Sequence, residues 1–275
     1  MLEKAQADNH SMLCVGLDPE PSKFPKAMQN QKDSIFDFCA RIVDATHDLV
    51  LAFKPQVAYF AAHKAEDQLE RLIQHIKEVA PNIPVILDAK RGDIGATSQQ
   101  YAVEAFERYK ADAVTLSPFM GFDSIEPYLK YASKGVFLLC RTSNKGGDDF
   151  QNLRLADKPG NPTLYEYIAG LAEREWNTSG QLGLVVGATY PLEIAKVRAI
   201  APSLPLLIPG VGAQGGDANA TVRAGKTKQG SVLINSSRAI LYASQGTDFE
   251  VAARTIAIET KNLLNAADKF AAPLI

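Results

Sequence analysis

Eight short apolar runs, each followed by a segment with helical periodicity, are the feature that most restricts the fold of this chain. The predicted strands cover residues 12–18, 49–56, 84–90, 113–118, 135–142, 182–189, 205–211 and 231–237. Their apolar residues are nearly continuous rather than alternating, which is typical of strands buried on both faces of a parallel sheet. Eight strand–helix units in 275 residues predict the α/β class and a single (β/α)8 TIM barrel, with one domain over residues 1–275.

The segments between these strands predict helices, at residues 33–48, 66–80, 97–110, 122–133, 162–176, 191–201, 216–225 and 247–267. Asp33 and Ser34 are residue types that cap helices, and they stand at the start of the first of them. A doubly wound sheet is less well supported, because no change of composition divides the chain into halves. The connection over residues 143–162 is long and rich in Gly, Asn, Asp and Pro, so it is either a lid or a passive surface loop.

Charge and cysteine content exclude several classes of protein. The net charge is −2, so no basic surface is predicted for nucleic acid or an anionic membrane. No apolar run reaches the roughly 18 residues of a membrane span, and the N-terminus lacks a signal-peptide pattern. Cys14, Cys39 and Cys140 lie far apart in apolar runs, which predicts core residues without disulfides or zinc. We therefore expect a cytoplasmic protein with no nucleic-acid or membrane partner.

Charged residues cluster at the end of the third predicted strand. The apolar residues 85–87 lead directly into Asp88 and Lys90, and Asp93 follows. Residues i and i+2 of a strand point to the same side, so Asp88 and Lys90 should project together at the barrel mouth. Lys54 ends the neighbouring predicted strand and can approach Asp88 laterally. These four residues form either a catalytic set that keeps one lysine protonated as a proton donor, or a salt-bridge network that closes the barrel end.

A glycine-rich loop, PGVGAQGGD at residues 209–217, follows the seventh predicted strand. It contains G-x-G-x-x-G, but the eighth strand lacks the acidic residue that a dinucleotide site requires. In (β/α)8 barrels, the loops after strands seven and eight form the usual phosphate site. Gln214 can donate its amide there and Arg238 can bind bidentately, so the loop is either a site for a phosphate monoester, which the pattern favours, or a tight structural turn.

Five motifs occur in order at the ends of strands one, two, three, seven and eight: GLDP (16–19), FKPQ (53–56), LDAKRGDIGAT (87–97), PGVGAQGGD (209–217) and INSSRAI (234–240). Together they resemble the orotidine 5′-phosphate decarboxylase family over nearly the whole chain. The long fifth loop is similar to the longer-chain, type 2 branch of that family. The resemblance implies a cofactor-free and metal-free homodimer with shared active sites. It also implies decarboxylation of orotidine 5′-phosphate to UMP, the last step of de novo pyrimidine nucleotide synthesis.

The resemblance also assigns roles to individual residues. It implies that Asp88 lies against the substrate carboxylate and that Lys90 protonates C6 of the pyrimidine. Lys54 completes the charge network and contacts the ribose, as does Asp18. The residues that the partner subunit would donate are Asp93, Ile94 and Thr97. The other implied substrate-binding residues are Ser143 at the pyrimidine edge, Gln214 and Arg238 at the phosphate, and Pro209 and Ser237, the last at a position where the family often has glycine.

The mechanism implied by the resemblance is direct decarboxylation, in which CO2 leaves and Lys90 neutralises the carbanion at C6. Since this carbanion has no electron sink, preorganised electrostatics must stabilise it. One alternative is a magnesium-dependent sugar-phosphate decarboxylase or synthase of the same superfamily, which needs another carboxylate where this chain has Lys54. A second alternative is a non-catalytic sensor of nucleotide phosphates, and such a protein would be expected to have lost Lys90 or one of the aspartates.

Overall fold

The computed structural model describes residues 1–211 and 217–269 and contains all eight predicted strands. They are β1 (Leu13–Leu17), β2 (Ala52–Pro55), β3 (Ile86–Arg91), β4 (Ala113–Leu116), β5 (Gly135–Arg141), β6 (Leu182–Val186), β7 (Leu206–Pro209) and β8 (Val232–Ser236). Each strand falls on one of the eight apolar runs. The near-continuous apolar pattern is explained by burial, because every residue of β1, β2, β4, β6 and β8 is buried.

The strands form one sheet in the order β2-β1-β8-β7-β6-β5-β4-β3. The two strands at the ends of this order are joined by parallel bridges, Phe53 to Val85 and Gln56 to Asp88. The parallel strands alternate with helices, and the sheet returns to its starting strand. The predicted (β/α)8 barrel is therefore confirmed.

Every predicted helical segment contains a helix. The α-helices cover Leu2–Asn9, Ser34–Thr46, Val57–Ala61, Glu66–Val79, Gly95–Val103, Glu126–Leu129, Leu164–Leu171, Pro191–Ile200, Ala218–Gly225, Arg238–Leu241 and Phe249–Lys269. The first, third and tenth of these were not predicted. The predicted helix 122–133 is broken into a 3₁₀ turn, Phe122–Ser124, and a single α-helical turn.

One predicted helix cap is only half right. Asp33 lies at the N-cap position of the helix Ser34–Thr46, but its side chain caps no backbone N–H group. Its carboxylate is instead 3.0 Å from the Arg71 guanidinium. An ion pair therefore replaces the expected cap. A local capping pattern cannot predict it, because Arg71 lies 38 positions further along the chain.

The chain divides into two compact units. The first comprises Met1–Ala89, Val103–Val114 and Asn235–Ala266, and the second comprises Lys90–Ala102, Thr115–Ile234 and Ala267–Ile275, apart from the undescribed residues. In the first unit, Phe38 stacks on Phe24 and Phe249, with ring centroids 4.1 Å and 5.2 Å apart. The single domain over residues 1–275 stays a prediction.

The three cysteines are free and buried, as expected for core residues. Burial raises the pKa of all three thiols, that of Cys14 to about 12, so they are protonated at neutral pH. Within residues 1–211 and 217–269, none of the helices combines the length and apolar character that a membrane crossing requires.

Candidate active site

In the first unit, polar side chains stand at the carboxyl ends of β1, β2, β3 and β8. They are Asp18, Lys54, Gln56, Asp88, Asn235 and Ser237. The carboxyl ends of the strands carry the active site in (β/α)8-barrel enzymes, while the opposite ends serve stability. These six side chains are therefore the candidates for chemistry in this unit.

Lys54 and Asp88 form a buried ion pair. The Lys54 Nζ atom is 2.8 Å from Asp88 Oδ2, and Gln56 Nε2 donates a second hydrogen bond of 3.1 Å to the same oxygen. The two charged residues are only 4% and 6% exposed. Burial lowers the pKa of Lys54, but the negative charges of Asp88 and Asp18 outweigh it, so its pKa lies above the ordinary value. The predicted lateral approach of Lys54 to Asp88 is confirmed, and the lysine is cationic at neutral pH.

The Asp18 carboxylate is held from the end of β8. Ser237 Oγ donates to Asp18 Oδ2 at 2.5 Å and lies 3.1 Å from the Gly16 carbonyl oxygen. The Tyr242 hydroxyl donates to the Asp18 carbonyl oxygen and accepts from the Glu20 N–H group, both at 2.7 Å. Within the part of the chain that the structure describes, Asp18 Oδ1 is buried without a hydrogen-bond partner. One carboxylate oxygen is thus fixed, and the other can accept a hydrogen bond from a bound hydroxyl group.

Gly16 makes this arrangement possible. A Cβ atom on Gly16 would lie 2.9 Å from Ser237 Cβ, closer than real Cβ atoms approach, and 3.0 Å from Asn235 Oδ1, a tight contact. Asn235 Oδ1 is a second buried acceptor with no partner among the described residues. Sequence reasoning missed Asn235 and Tyr242 as site residues. The available signal for Asn235 was a polar residue at the end of an apolar strand.

Lys90, in the second unit, has a conformation that the sequence did not reveal. Its backbone is left-handed, with φ +47°, although it belongs to β3. The Lys90 N–H group donates to Thr115 Oγ1 in β4 at 3.0 Å. The expectation that Asp88 and Lys90 point to one side assumed extended backbone at both residues. The backbone at Lys90 is not extended and its side chain is exposed, and the common direction of the two side chains stays a prediction.

The turn after β3 is exposed. Asp93 is half-buried, and its Oδ1 atom accepts a 2.8 Å hydrogen bond from the Ile94 N–H group. Ile94 is 54% exposed, and Thr97 lies on the exposed first turn of the helix Gly95–Val103. Gly95 has φ +54°, a left-handed backbone that favours glycine. These three side chains are accessible at the surface of the isolated chain.

The remaining predicted contacts lie after β5, β7 and β8. Ser143 is half-buried, and a Cβ on Gly187 would lie 2.8 Å from Ser143 Cβ, so the residue just after β6 lies close to it. Pro209 ends β7 and is half-buried, whereas Arg238 is exposed at the start of a short helix. Gln214 lies outside the described residues. The phosphate site stays a prediction.

The long loop after β5 is anchored by a buried guanidinium. Arg141 Nε is 2.5 Å from Glu193 Oε2, and Arg141 Nη2 is 2.6 Å from Asp148 Oδ1. Arg141 Nη1 also donates to Gln151 Oε1 at 3.2 Å. Because the Arg141 side chain is almost inaccessible, these contacts fix the first part of the loop to the strand.

A parallel eight-stranded barrel with a buried lysine–carboxylate pair at the carboxyl ends of its strands defines a barrel enzyme. The sequence matches the Orotidine 5′-phosphate decarboxylase / HUMPS family over residues 11–256. The chain therefore belongs to this family.

Relatives and solved structures agree with this placement. The chain is 69% identical to orotidine 5′-phosphate decarboxylase of Polaromonas naphthalenivorans, over 97% of this chain and 95% of the relative. It is 70% identical to the decarboxylase of Delftia acidovorans, over 96% of both chains. The structure of Leishmania donovani OMP decarboxylase matches with a TM-score of 0.79 and 39% identity, over 96% of both chains.

Proposed function

We propose that this chain is a carboxy-lyase that converts orotidine 5′-phosphate to UMP and CO2, the last step of de novo pyrimidine nucleotide synthesis. Relatives that cover nearly the whole chain at 69% and 70% identity carry the name of this activity. The observation within the molecule that carries the proposal is the buried Lys54–Asp88 pair, with its 2.8 Å contact.

This pair also argues against the magnesium-dependent alternative. The metal-using enzymes need a carboxylate on the second strand, and this chain has the Lys54 ammonium there. A cation 2.8 Å from Asp88 already neutralises that carboxylate and would repel a divalent ion. The proposed reaction therefore uses neither metal nor cofactor.

The proposed chemistry begins with the substrate carboxylate beside Asp88. Lys54 and Gln56 fix Asp88 Oδ2, so the carboxylate cannot turn away from the negative charge of the substrate. The bond from C6 to the carboxylate carbon then breaks, its electron pair stays on C6, and CO2 leaves. Lys90 transfers a proton to C6, which gives UMP. The fixed charges supply stabilisation where the carbanion develops.

Substrate binding is proposed to use the acceptors and donors around these charges. The unpartnered Asp18 Oδ1 would accept a hydrogen bond from a ribose hydroxyl, and Lys54 would contact the same sugar. Ser143 would meet the pyrimidine edge. The residues proposed to bind the phosphate end are Pro209, Gln214, Ser237 and Arg238. The Ser237 hydroxyl is already bonded to Asp18, so its contribution to phosphate would come from its backbone.

We also propose a homodimer in which Asp93, Ile94 and Thr97 reach the site of the partner subunit. In the second unit, apolar side chains are exposed in the segments after β3 and β4, including Ile94 at 54% and Phe119 at 85%. Met120 and Phe122 extend the second of these segments. Contiguous exposed apolar surface marks protein interfaces.

A cytoplasmic location is proposed as well, supported by three buried thiols that carry no disulfide.

A spectrophotometric assay with orotidine 5′-phosphate in EDTA tests this function. We expect turnover in EDTA for the wild-type chain and none for Lys90→Ala, which should still bind UMP because the phosphate contacts remain. Lys64→Ala is a matched control, since Lys64 is an exposed lysine with a left-handed backbone in the first unit. Loss of turnover in EDTA with recovery in magnesium would support the metal-dependent alternative. UMP binding without any turnover would support the sensor.

A further inference from the structure

The backbone of Lys90 is unusual for its place in the fold. Lys64 and Lys110 also have left-handed backbones, but both follow helical segments, where this conformation commonly ends a helix. Lys90 adopts it inside β3, next to the last residue of the strand. A left-handed backbone is unfavourable for a residue with a Cβ atom, and it persists where the surroundings hold it.

A side chain of β4 contacts the backbone at this position. In a regular parallel ladder, a backbone N–H group donates to a carbonyl oxygen of the next strand. The Lys90 N–H group donates to a side-chain oxygen, Thr115 Oγ1, at 3.0 Å. One residue later the ladder resumes, because the Ser117 N–H group donates to the Arg91 carbonyl oxygen at 2.7 Å. The Lys90 N–H group is therefore bonded to a buried side chain of β4 where β3 departs from extended geometry.

We propose that Thr115 is a positioning residue for Lys90, an inference that rests on the proposed role of Lys90 as proton donor. Thr115 is 1% exposed and lies in the middle of β4, so it is a rigid support. The left-handed backbone sets the direction of the Lys90 Cα–Cβ bond, and hence the place that the ammonium reaches. A displacement of about 1 Å at a reacting group can cost about 10²-fold in rate.

Steady-state kinetics of Thr115→Val test the proposal, because valine keeps the shape of threonine and replaces the hydroxyl that accepts from Lys90 by a methyl group. We expect kcat to fall by about 10²-fold with little change in KM, since the nucleotide contacts remain. Thr115→Ser should restore most of kcat because it keeps the hydroxyl. A residue that only fills the core would not show this separation of kcat from KM, nor rescue by serine.

Thr46→Val is the matched control. Thr46 is also fully buried and donates one hydrogen bond of 2.7 Å, to the Ile42 carbonyl oxygen within its own helix. The Thr46→Val variant should keep the wild-type kcat. If Thr115→Val folds poorly, Thr115→Ala provides the second variant, with kcat referred to the fraction of protein that binds UMP, and the same loss is expected.

Two outcomes separate this inference from the proposed function. Wild-type kcat in the folded Thr115→Val or Thr115→Ala variant, together with an inactive Lys90→Ala variant, would overturn the positioning role and leave the proposed function intact. Full activity of Lys90→Ala would overturn the proton-donor role on which this inference rests, whereas absence of turnover in the wild-type chain would overturn the proposed function itself.

Discussion

Two buried basic side chains, one in each unit, are stabilised by different kinds of partner. In the first unit the Lys54 ammonium pairs with the Asp88 carboxylate at 2.8 Å. In the second unit the Arg198 guanidinium donates only to backbone carbonyl oxygens among its described hydrogen bonds. These carbonyl groups belong to Gly225, Ala201, Pro202, Leu204 and Ser231.

The different partners change the electrostatics of the two groups. Burial lowers the pKa of Arg198 to about 10, and the charge of Glu173 opposes this shift only in part. The pKa of Lys54 is raised, because the charges of Asp88 and Asp18 exceed the effect of burial. Both side chains are cationic at neutral pH. Of these two cations, only Lys54 has a carboxylate beside it. We propose that the substrate binds next to this carboxylate.

The two cations also serve different parts of the fold. Lys54 lies in β2 at its carboxyl end, whereas two of the carbonyl groups bonded to Arg198, those of Leu204 and Ser231, lie just before β7 and β8 begin. Gly230 allows this approach, because a Cβ there would lie 2.1 Å from Arg198 Nη1. In (β/α)8 barrels the carboxyl ends of the strands serve catalysis and the amino ends serve stability. The comparison therefore predicts a loss of activity in one case and a loss of stability in the other.

Of the variants at these two buried cations, Lys54→Met has the larger expected effect on turnover. Removing the ammonium takes away the positive charge 2.8 Å from Asp88 Oδ2, and with it one fixed charge of the proposed reaction centre. We expect kcat to fall by about 10²–10³-fold, the size seen when one preorganised electrostatic contact is lost. Steady-state assays, with the folded fraction measured by UMP binding, provide the check. A near-wild-type kcat would contradict the catalytic role of the Lys54–Asp88 pair.

A smaller effect on turnover, but a large one on stability, is expected for Arg198→Met. The variant leaves several buried carbonyl groups without a donor, at about 1–3 kcal/mol for an unsatisfied buried group. We expect the free energy of unfolding in urea to fall by about 3 kcal/mol while kcat of the folded enzyme is kept.

Arg254→Met is the control for this variant, because Arg254 forms an exposed ion pair with Asp48 at 2.7 Å. Its loss should change the free energy of unfolding by about 0–1 kcal/mol. Equal urea midpoints for Arg198→Met and the wild type would contradict the stabilising role. A drop in kcat as large as that of Lys54→Met would contradict the division between the two regions.

The sequence was sufficient for the barrel and for half of the charge network. Strands buried on both faces have near-continuous apolar runs, so all eight could be recognised. The ends of neighbouring parallel strands are brought together by the fold, so the approach of Lys54 to Asp88 followed from their positions in β2 and β3. Both features depend on patterns that are local or that the topology fixes.

The features that sequence reasoning missed depend on single contacts between distant residues. The left-handed backbone of Lys90 coincides with a hydrogen bond to Thr115, 25 residues further on. Arg198 stands in a helical segment, where an arginine is ordinarily read as a surface residue, and its carbonyl partners extend to Ser231. Sequence periodicity does not predict such contacts, because each depends on how distant residues pack in the folded chain.

A crystal structure with a UMP-like inhibitor substituted at C6 tests the central claim most directly. The account predicts that Lys90 Nζ lies about 3 Å from the C6 substituent, within hydrogen-bonding reach of the position where the carbanion forms. It also predicts that Asp88 keeps its contact with Lys54. A Lys90 ammonium turned away from C6, with the nucleotide fully bound, would contradict the proposed proton transfer.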